Sequence, residues 1–418
     1  MNRAVIFQEG EAIAPFSKRV DDCVVGQRSL KEQRRESLRR AGFSRDLETE
    51  TGDPAHMVEG PALIWADNVY VAPRALRTFV QRAQTKTHPV RFCLPHHQFF
   101  EALSPLQDVP FDAETGYAYS VAWVPKGHTI SIGDAFSLPT EQWLSPTFRY
   151  REIPVPRPPY ISKTIPETFL LSSTFAIRIR HWVHLLRLSH MMPGLMLLDA
   201  AYRHWGWTSQ ALLRSVRLSK KSRERALKKN LVRRGKNVFI HPTACVEASV
   251  LGHNVHIGPY AYVVGSVLGD DVFVEDRAHV HQSCLGPKTF VSRNSSISAC
   301  LSFGETDVCT NGIQACVVAE KCALTSFARP LDLNPNGPVK VWDNGQIREV
   351  GPLPCGVAFG PGVFIGADVT IAPGREVPAG ISIYASPEQV VRTLPKECLE
   401  GSQYVVDSGT LKLLVAPK

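Results

Sequence analysis

The chain has 418 residues, 44% of them hydrophobic and 21% charged, which excludes a wholly disordered or fibrous polypeptide. At about 100–200 residues per domain the length predicts two or three domains, and no run of about 18 uncharged apolar residues suggests a spanning helix. The net charge of +8 is uneven: residues 151–236 hold 18 Lys/Arg against four acids, so the remainder is acidic.

The opening MNRAVIFQEGEAIAPF lacks the long apolar stretch of an export signal, and none of the ten cysteines forms a C-x-x-C pair. Both features predict reduced thiols in a cytoplasmic protein. AVIF reads as a short buried strand followed by a Gly-containing turn. Leu30 to Ala41 reads as a charged helix closed by Gly42, ALIWADNVYV at 62–71 as a second strand, and APRALRTFVQRA as a helix. This alternation predicts an α/β layer on a parallel sheet over 1–153.

These residues resemble the sugar-1-phosphate nucleotidyltransferases. AVIFQEGEAIAPFS is similar to that family's opening A-V-I-L-A-A-G-x-G-T-R-x-x-P, and Asp67 in ALIWADN to its metal-binding strand end. The resemblance implies a nucleotide-binding loop around Gly10 and a Mg²⁺ site at Asp67. The family's second glycine, Thr and Arg are here Ala12, Ile13 and Ala14, and its loop Lys is missing near Val25–Arg28. Each lost charge-assisted contact is worth about 1.5–3 kcal/mol, so a truncated, degenerate domain without nucleotidyl transfer is expected. An active nucleotidyltransferase is the lesser alternative.

Residues 154–236 read as a Pro-rich stretch and then a basic helical linker. Phe169, Leu170, Phe175, Ile179, Trp182, Val183, Leu186 and Leu188 fall mostly on one wide face, and Arg214 to Lys236 carries eleven basic residues against Glu224 alone. Such a face is either a bridge packed between domains or, through 170–236, a peripheral contact with an anionic membrane. No specific nucleic-acid partner is expected.

An internal repeat governs 237–390. SVLG at 249–252 recurs at 266–269 and as SCLG at 283–286, and aliphatic residues recur every five or six positions from Ile240 to Ile297, then every six from Phe359 to Ile383. A period of six matches neither helix nor hairpin strand. It matches a coil of three flat faces with one inward aliphatic and one small corner residue per face. This is the hexapeptide repeat of the left-handed parallel β-helix. Between 303 and 356 the phase degrades, and a polar excursion at 328–356 is expected to be a functional loop or an oligomer contact. Residues 391–418 read as a tail.

The tandem order resembles the bifunctional N-acetylglucosamine-1-phosphate uridyltransferases with an acetyltransferase tail of archaeal type. ALTSFARPLDL and CGVAFGPGVFIGADVTIAPG carry that resemblance. It implies a homotrimer binding acetyl-CoA or another acyl-CoA between subunits, with a sugar phosphate or nucleotide sugar as acceptor. The family's catalytic His is replaced in the stretch Ser298-Ala299-Cys300, and Phe327-Ala328 stand near its Asn, while Arg329 and Asp332 keep the pattern. His279 and His281 flank the inward Val280, point outward, and are candidate substitute bases. Arg329, Asp332 and Lys340 are candidates for holding phosphate. His253, His256, His279 and His281 lie on neighbouring coils, but Tyr262 falls under His279 and Phe273 above His256, so no metal is expected. Cys284 and Cys322 read as small inward packing residues. The alternative to an acyltransferase is an inactive trimeric scaffold in surface-polysaccharide assembly.

Overall fold

The computed structural model describes residues 3–44, 48–148, 150–154, 168–203, 231–389, 391, 403–408 and 410–415. The front domain is built on a mixed sheet ordered Trp143–Leu144, Val90–Leu94, Gly116–Val124, Ala62–Ala66, Arg3–Phe7 and Glu48–Thr51. Arg3–Phe7 runs parallel to both of its neighbours, as expected, but Gly116–Val124 is antiparallel to Ala62–Ala66 and Val90–Leu94. The purely parallel expectation is therefore corrected to a mixed sheet. The expected strand at 62–71 is two strands, Ala62–Ala66 and Val69–Val71, with Asp67-Asn68 between them.

Helix α1 (Leu30–Arg40) begins at a capping box, Ser29 Oγ accepting from Glu32 N at 3.3 Å and Glu32 Oε2 from Ser29 N at 3.0 Å. It ends before Gly42, whose φ of +90° closes the helix as its sequence signature implies. Helix α2 spans Pro73–Ala83, α3 Gln98–Leu103, α4 Ile132–Phe136 and α5 Trp182–Arg203. Residues 168–181, expected to be helical, instead contain the strands Thr168–Ser172 and Ala176–Arg178. The β-branched and aromatic run favours extended backbone, and Ala176–Arg178 pairs with Val69–Val71. The predicted basic segment falls almost wholly at 204–230, outside the described residues.

The C-terminal half is a parallel β-helix of three sheets. Its aromatic face stacks eight strands from Phe239–Ile240 to Ser382–Ile383, its covered face seven from Val250–Leu251 to Glu376–Val377, and its histidine face five from Cys245–Glu247 to Ile313–Gln314. Corresponding residues stand one coil above another, as in Tyr262 over Cys245 and His279 over Tyr262. Inside runs an aliphatic column that includes Ile257, Val263, Leu268, Val274, Val280, Leu285, Val291 and Ile297. Gly252, Gly269 and Gly286 stack at one corner, where a Cβ on Gly286 would lie 2.3 Å from Phe303 O. Other corners place non-glycine residues in the left-handed region, among them Asn254 (φ 56°), Tyr260 (57°), Asp271 (59°) and Arg277 (57°). Asn and Asp tolerate that region best, and the bulkier residues are strained there by the turn the coil requires.

The stack does not break at 303. Val308, Ile313, Val318 and Leu324 are all buried inside the column. One coil is shorter, Cys316 N approaching the Cys300 thiol across 16 residues where lower coils use 17. The excursion begins only after Arg329–Pro330, and Val317 then pairs with Ala358.

Helix α5 closes the two halves together. On the covered face the outward Val250, Val267, Cys284, Leu301, Val317 and Ala358 are at most 2% exposed and belong to the front-domain core. Cys284 thus faces α5, its thiol reaching Ser189 O at 3.4 Å, and is not an inward residue of the coil; Cys322 is one. Each fully buried Val or Leu contributes about 1.5–3 kcal/mol, which makes this face the main bond between domains. Phe175, Ile179, Trp182, Val183, Leu186 and Leu188 are likewise buried. That apolar surface is the packed bridge, and the membrane-contact reading of 170–236 is corrected over these residues. Among the described residues no helix is long and apolar enough to cross a membrane.

Candidate functional site

The histidine face is open. In the strand His279–His281 Val280 turns inward, fully buried, and both histidines are exposed. Below them stand Tyr262 and Val264, above them Ser296 and Ser298, with Gln314 next over Ser298. Tyr262 and His279 have ring centroids 6.0 Å apart. Local crowding desolvates the His281 imidazole and lowers its pKa from 6.5. A lowered pKa favours the neutral ring, the form able to accept a proton. No hydrogen bond from another described residue holds either imidazole.

Arg329 lies on the same face, since Arg329–Pro330 follows Ile313–Gln314 one coil on. At a spacing of about 4.8 Å per coil it stands about 14 Å from His279. Its nearest acid is Asp368, at 3.8 Å. Asp332 turns away from this face. Its backbone accepts from Cys355 N at 3.0 Å, and burial raises its carboxyl pKa. Lys340 is exposed, 3.6 Å from Glu349 across the hairpin Lys340–Asp343/Gln346–Glu349. Arg329 and the two histidines therefore share a face, and Asp332 and Lys340 do not join them.

The excursion is a clamp between domains. Arg348 reaches Asp108 at 2.9 and 3.2 Å and Asp343 at 2.7 Å, and Arg180 pairs with both Asp343 and Asp108. His181 Nε2 meets Trp342 O at 3.0 Å and Glu376 at 3.3 Å. Arg187, fully buried in α5, donates to Pro354 O at 2.9 Å and Leu353 O at 3.1 Å. The expected substrate loop thus carries interdomain contacts, a role visible only once the distant Asp108 and Arg180 are placed beside it.

Gly10 and Asp67, matched through separate motifs, do come together. Asp67 Oδ1 accepts from Glu9 N at 3.0 Å and Gly10 N at 2.7 Å, and Oδ2 accepts from Arg19 at 3.0 Å. The Asp67 side chain is 3% exposed. Arg34 pairs with Asp21 and donates to Asp67 O at 3.3 Å. The backbone N–H groups that would hold a phosphate are filled by the chain's own carboxylate, and that carboxylate carries a guanidinium where Mg²⁺ would need oxygen ligands. The arrangement does not fit Mg²⁺, and among the described residues no group of three His, Cys, Asp or Glu could hold a metal. The following loop packs on the β-helix: Phe16 meets Phe303 edge-on at 4.9 Å, Lys18 pairs with Glu320 at 2.8 Å, and Gln27 donates to Leu268 O at 2.9 Å.

A cleft of about 620 Å³ lies elsewhere, lined by α1, α2 and α5 with Arg39, Arg40, Arg74 and Arg77 on its wall. Sequence reasoning passed over these arginines, although Arg74, Arg77 and Gln81 share one helical face.

No family model matches this chain, and no curated protein does. Among solved structures, a Bacillus cereus protein designated an acetyltransferase is similar at 13% identity over 34% of this chain and 78% of its own, with a TM-score of 0.15. The polysialic acid O-acetyltransferase OatWY is similar at 18% identity over 44% of this chain and 87% of its own, with a TM-score of 0.13.

Proposed function

We propose that the chain is an acyltransferase of the left-handed hexapeptide type, taking acyl-CoA as donor and a sugar phosphate or nucleotide sugar as acceptor, with a non-catalytic front domain. The observation that carries this reading is the open face with His279 and His281 side by side and the neutral form of His281 favoured by desolvation. In the proposed reaction His281 or His279 takes the proton from the acceptor amine or hydroxyl as its N or O attacks the thioester carbonyl. The C–S bond then breaks, and the CoA thiolate leaves and is protonated. Arg329, about 14 Å along the same face, supplies the charge for a distant phosphate of an extended ligand. A homotrimer fits an architecture in which α5 occupies one face of the prism and leaves the histidine and aromatic faces for neighbouring copies. The plugged Gly10 loop supports a front domain that positions the β-helix without turning over nucleotide.

Acetyl transfer from acetyl-CoA to a panel of amino sugars and their phosphates tests the assignment. The double variant His279→Ala/His281→Ala should reduce the rate by about a hundredfold or more. With His281 as the base, the acid limb of the wild-type rate should have its midpoint below 6.5, because desolvation lowers that pKa from its ordinary value. An unchanged rate in the double variant would sink the assignment. The scaffold reading is favoured by one observation, the lack of any described group orienting either imidazole as a general base requires. Calorimetric silence toward acetyl-CoA would establish that reading instead.

A further inference from the structure

Four polar side chains gather at the carboxyl ends of the central strands Arg3–Phe7 and Ala62–Ala66, the end of an α/β sheet where ligands are commonly seated. Arg178 pairs with Glu9 and donates to Asp108 O at 3.2 Å, while its backbone N–H donates to Gln107 Oε1 at 2.7 Å. Asn68 lies against the same segment, its carbonyl accepting from Ile179 N at 2.7 Å. Arg91 reaches this end through Nε, which donates to Tyr119 O at 2.9 Å. Tyr119 stands two residues beyond Val121, the partner of Trp65, and is therefore level with Asp67.

None of the four completes its hydrogen bonding. Arg91 is 5% exposed and Asn68 4%, whereas Arg178 and Glu9 form a half-buried rim. Among the described residues the bond to Tyr119 O is the only one that Arg91 makes, and it has no ion pair. Arg178 Nε, Glu9 Oε2 and Asn68 Oδ1 are likewise buried without a partner. The neighbouring carboxylates are already engaged, Glu9 by Arg178 and Asp67 by Arg19. Burial, and then repulsion from Arg178 in excess of attraction to Glu9, lowers the Arg91 pKa to about 10, which leaves it ionised at neutral pH. A buried guanidinium with one bond and no counter-charge is costly, and water would fill its hydrogen bonds without balancing its charge. The unfilled donors and the unbalanced charge call for an acid group, and the unfilled acceptors for hydroxyls beside it.

We propose that Arg91, Arg178, Glu9 and Asn68 bind a small hydroxylated acid, its anionic group on the two guanidinium groups and its hydroxyls donating to Glu9 and Asn68. This is not a nucleotide loop, because the N–H groups of Glu9 and Gly10 are already taken by Asp67. The chemistry is common to phosphorylated polyols and to hydroxycarboxylates.

Calorimetric titration of the full chain with glycerol 3-phosphate, glycerate, glycerol, inorganic phosphate and UTP tests the proposal. One of the two hydroxylated acids should bind at a single site, at least about tenfold more tightly than glycerol or inorganic phosphate, which lack the charge or the hydroxyls. Tighter glycerol 3-phosphate would assign a phosphorylated polyol, and tighter glycerate a hydroxycarboxylate. Arg91→Met removes the uncompensated charge and keeps an apolar stem, so its melting temperature should not fall below that of wild type, while affinity falls by about tenfold or more. Asn68→Asp offers Arg91 a carboxylate from within the chain and should weaken the same ligand by a similar factor. If Arg91→Met melts lower, the Asn68→Asp titration decides alone. Silence toward both acids, equal binding of glycerol or inorganic phosphate, tighter binding of UTP, or unchanged affinity in the variants would overturn the proposal. The His279→Ala/His281→Ala variant should bind the acid as wild type does, which separates this site from the acyltransferase reading.

Discussion

The covered face and the histidine face are built from the same repeat, on the same coils, with inward side chains of the same kind. They differ only in the outward position. On one, Val250, Val267, Cys284, Leu301 and Val317 are buried beneath α5; on the other, Tyr262, His279 and His281 remain exposed. The inward residue makes the coil, and the outward one decides what the face meets. In this chain one face has become the seat of a domain, which leaves the other available for chemistry.

The largest test of that distinction is a charge placed on each face. Val267→Asp puts a carboxylate at a position 0% exposed between α5 and the coil. Without a partner it should cost about 3–5 kcal/mol and expose the domain junction to protease. Val264→Asp, three residues earlier on the partly exposed histidine face, should cost less than about 1 kcal/mol. Paired thermal melts and limited proteolysis read both. Equal losses would mean that α5 does not shield the covered face.

Histidines sharpen the same comparison through pH. His184 and His190 sit on α5, fully buried, with pKa values pushed down by burial to about 3 and about 4. Arg187 faces both, and His181 and Arg180 face His184. His184 Nδ1 accepts from Arg180 N and His181 N at 3.1 Å and Nε2 donates to Pro105 O, while His190 Nε2 donates to Ala299 O at 2.9 Å. Both rings are therefore used as neutral imidazoles. In the unfolded chain each takes a proton near pH 6.5, so unfolding binds protons and stability falls as pH drops. The loss should steepen toward about 3 kcal/mol per pH unit between pH 6 and pH 4, two protons' worth, and be absent above pH 7. His190→Gln, which keeps an amide donor, should flatten that slope by about half in urea titrations at stepped pH. A slope that the variant leaves unchanged would assign the acid sensitivity to carboxylates.

How far these features were legible follows from what each depends on. The inward residues Val280, Ile297 and Ile365 were readable because one side chain per face must fill the axis. The stretch from 303 read as a break because a coil of 16 residues shifts the phase by one, though Ile313 still stands over Ile297. Gly10 and Asp67 were matched through two motifs, but Arg19, which pairs with that carboxylate, lies outside the pattern that pointed to them. The outward apolar column from Val250 to Val317 recurs beside the inward one, and only the placement of α5 against it distinguishes a covered face from an open one. Arg348 and Asp108 stand 240 residues apart, and only folding reveals their pairing.

The clamp gives the smallest expected effect and separates packing from electrostatics at the domain junction. Arg348 is partly exposed and joins Asp108 and Asp343, whose side chains are 45% and 5% exposed. Arg348→Ala should cost about 1 kcal/mol, since solvent screens the Asp108 pair and Arg180 remains beside Asp343. Asp343→Ala should cost more, about 2–3 kcal/mol, because it removes the buried acceptor shared by two guanidinium groups. Chemical denaturation in low and high salt distinguishes them: the Arg348 contribution should shrink with salt and the Asp343 contribution largely persist. Both remain below the expected cost of Val267→Asp, because the hairpin fastens an interface that apolar burial beneath α5 already holds. An Asp343→Ala loss as large as that of Val267→Asp would reverse this ranking and make the charged hairpin the principal bond between the two halves.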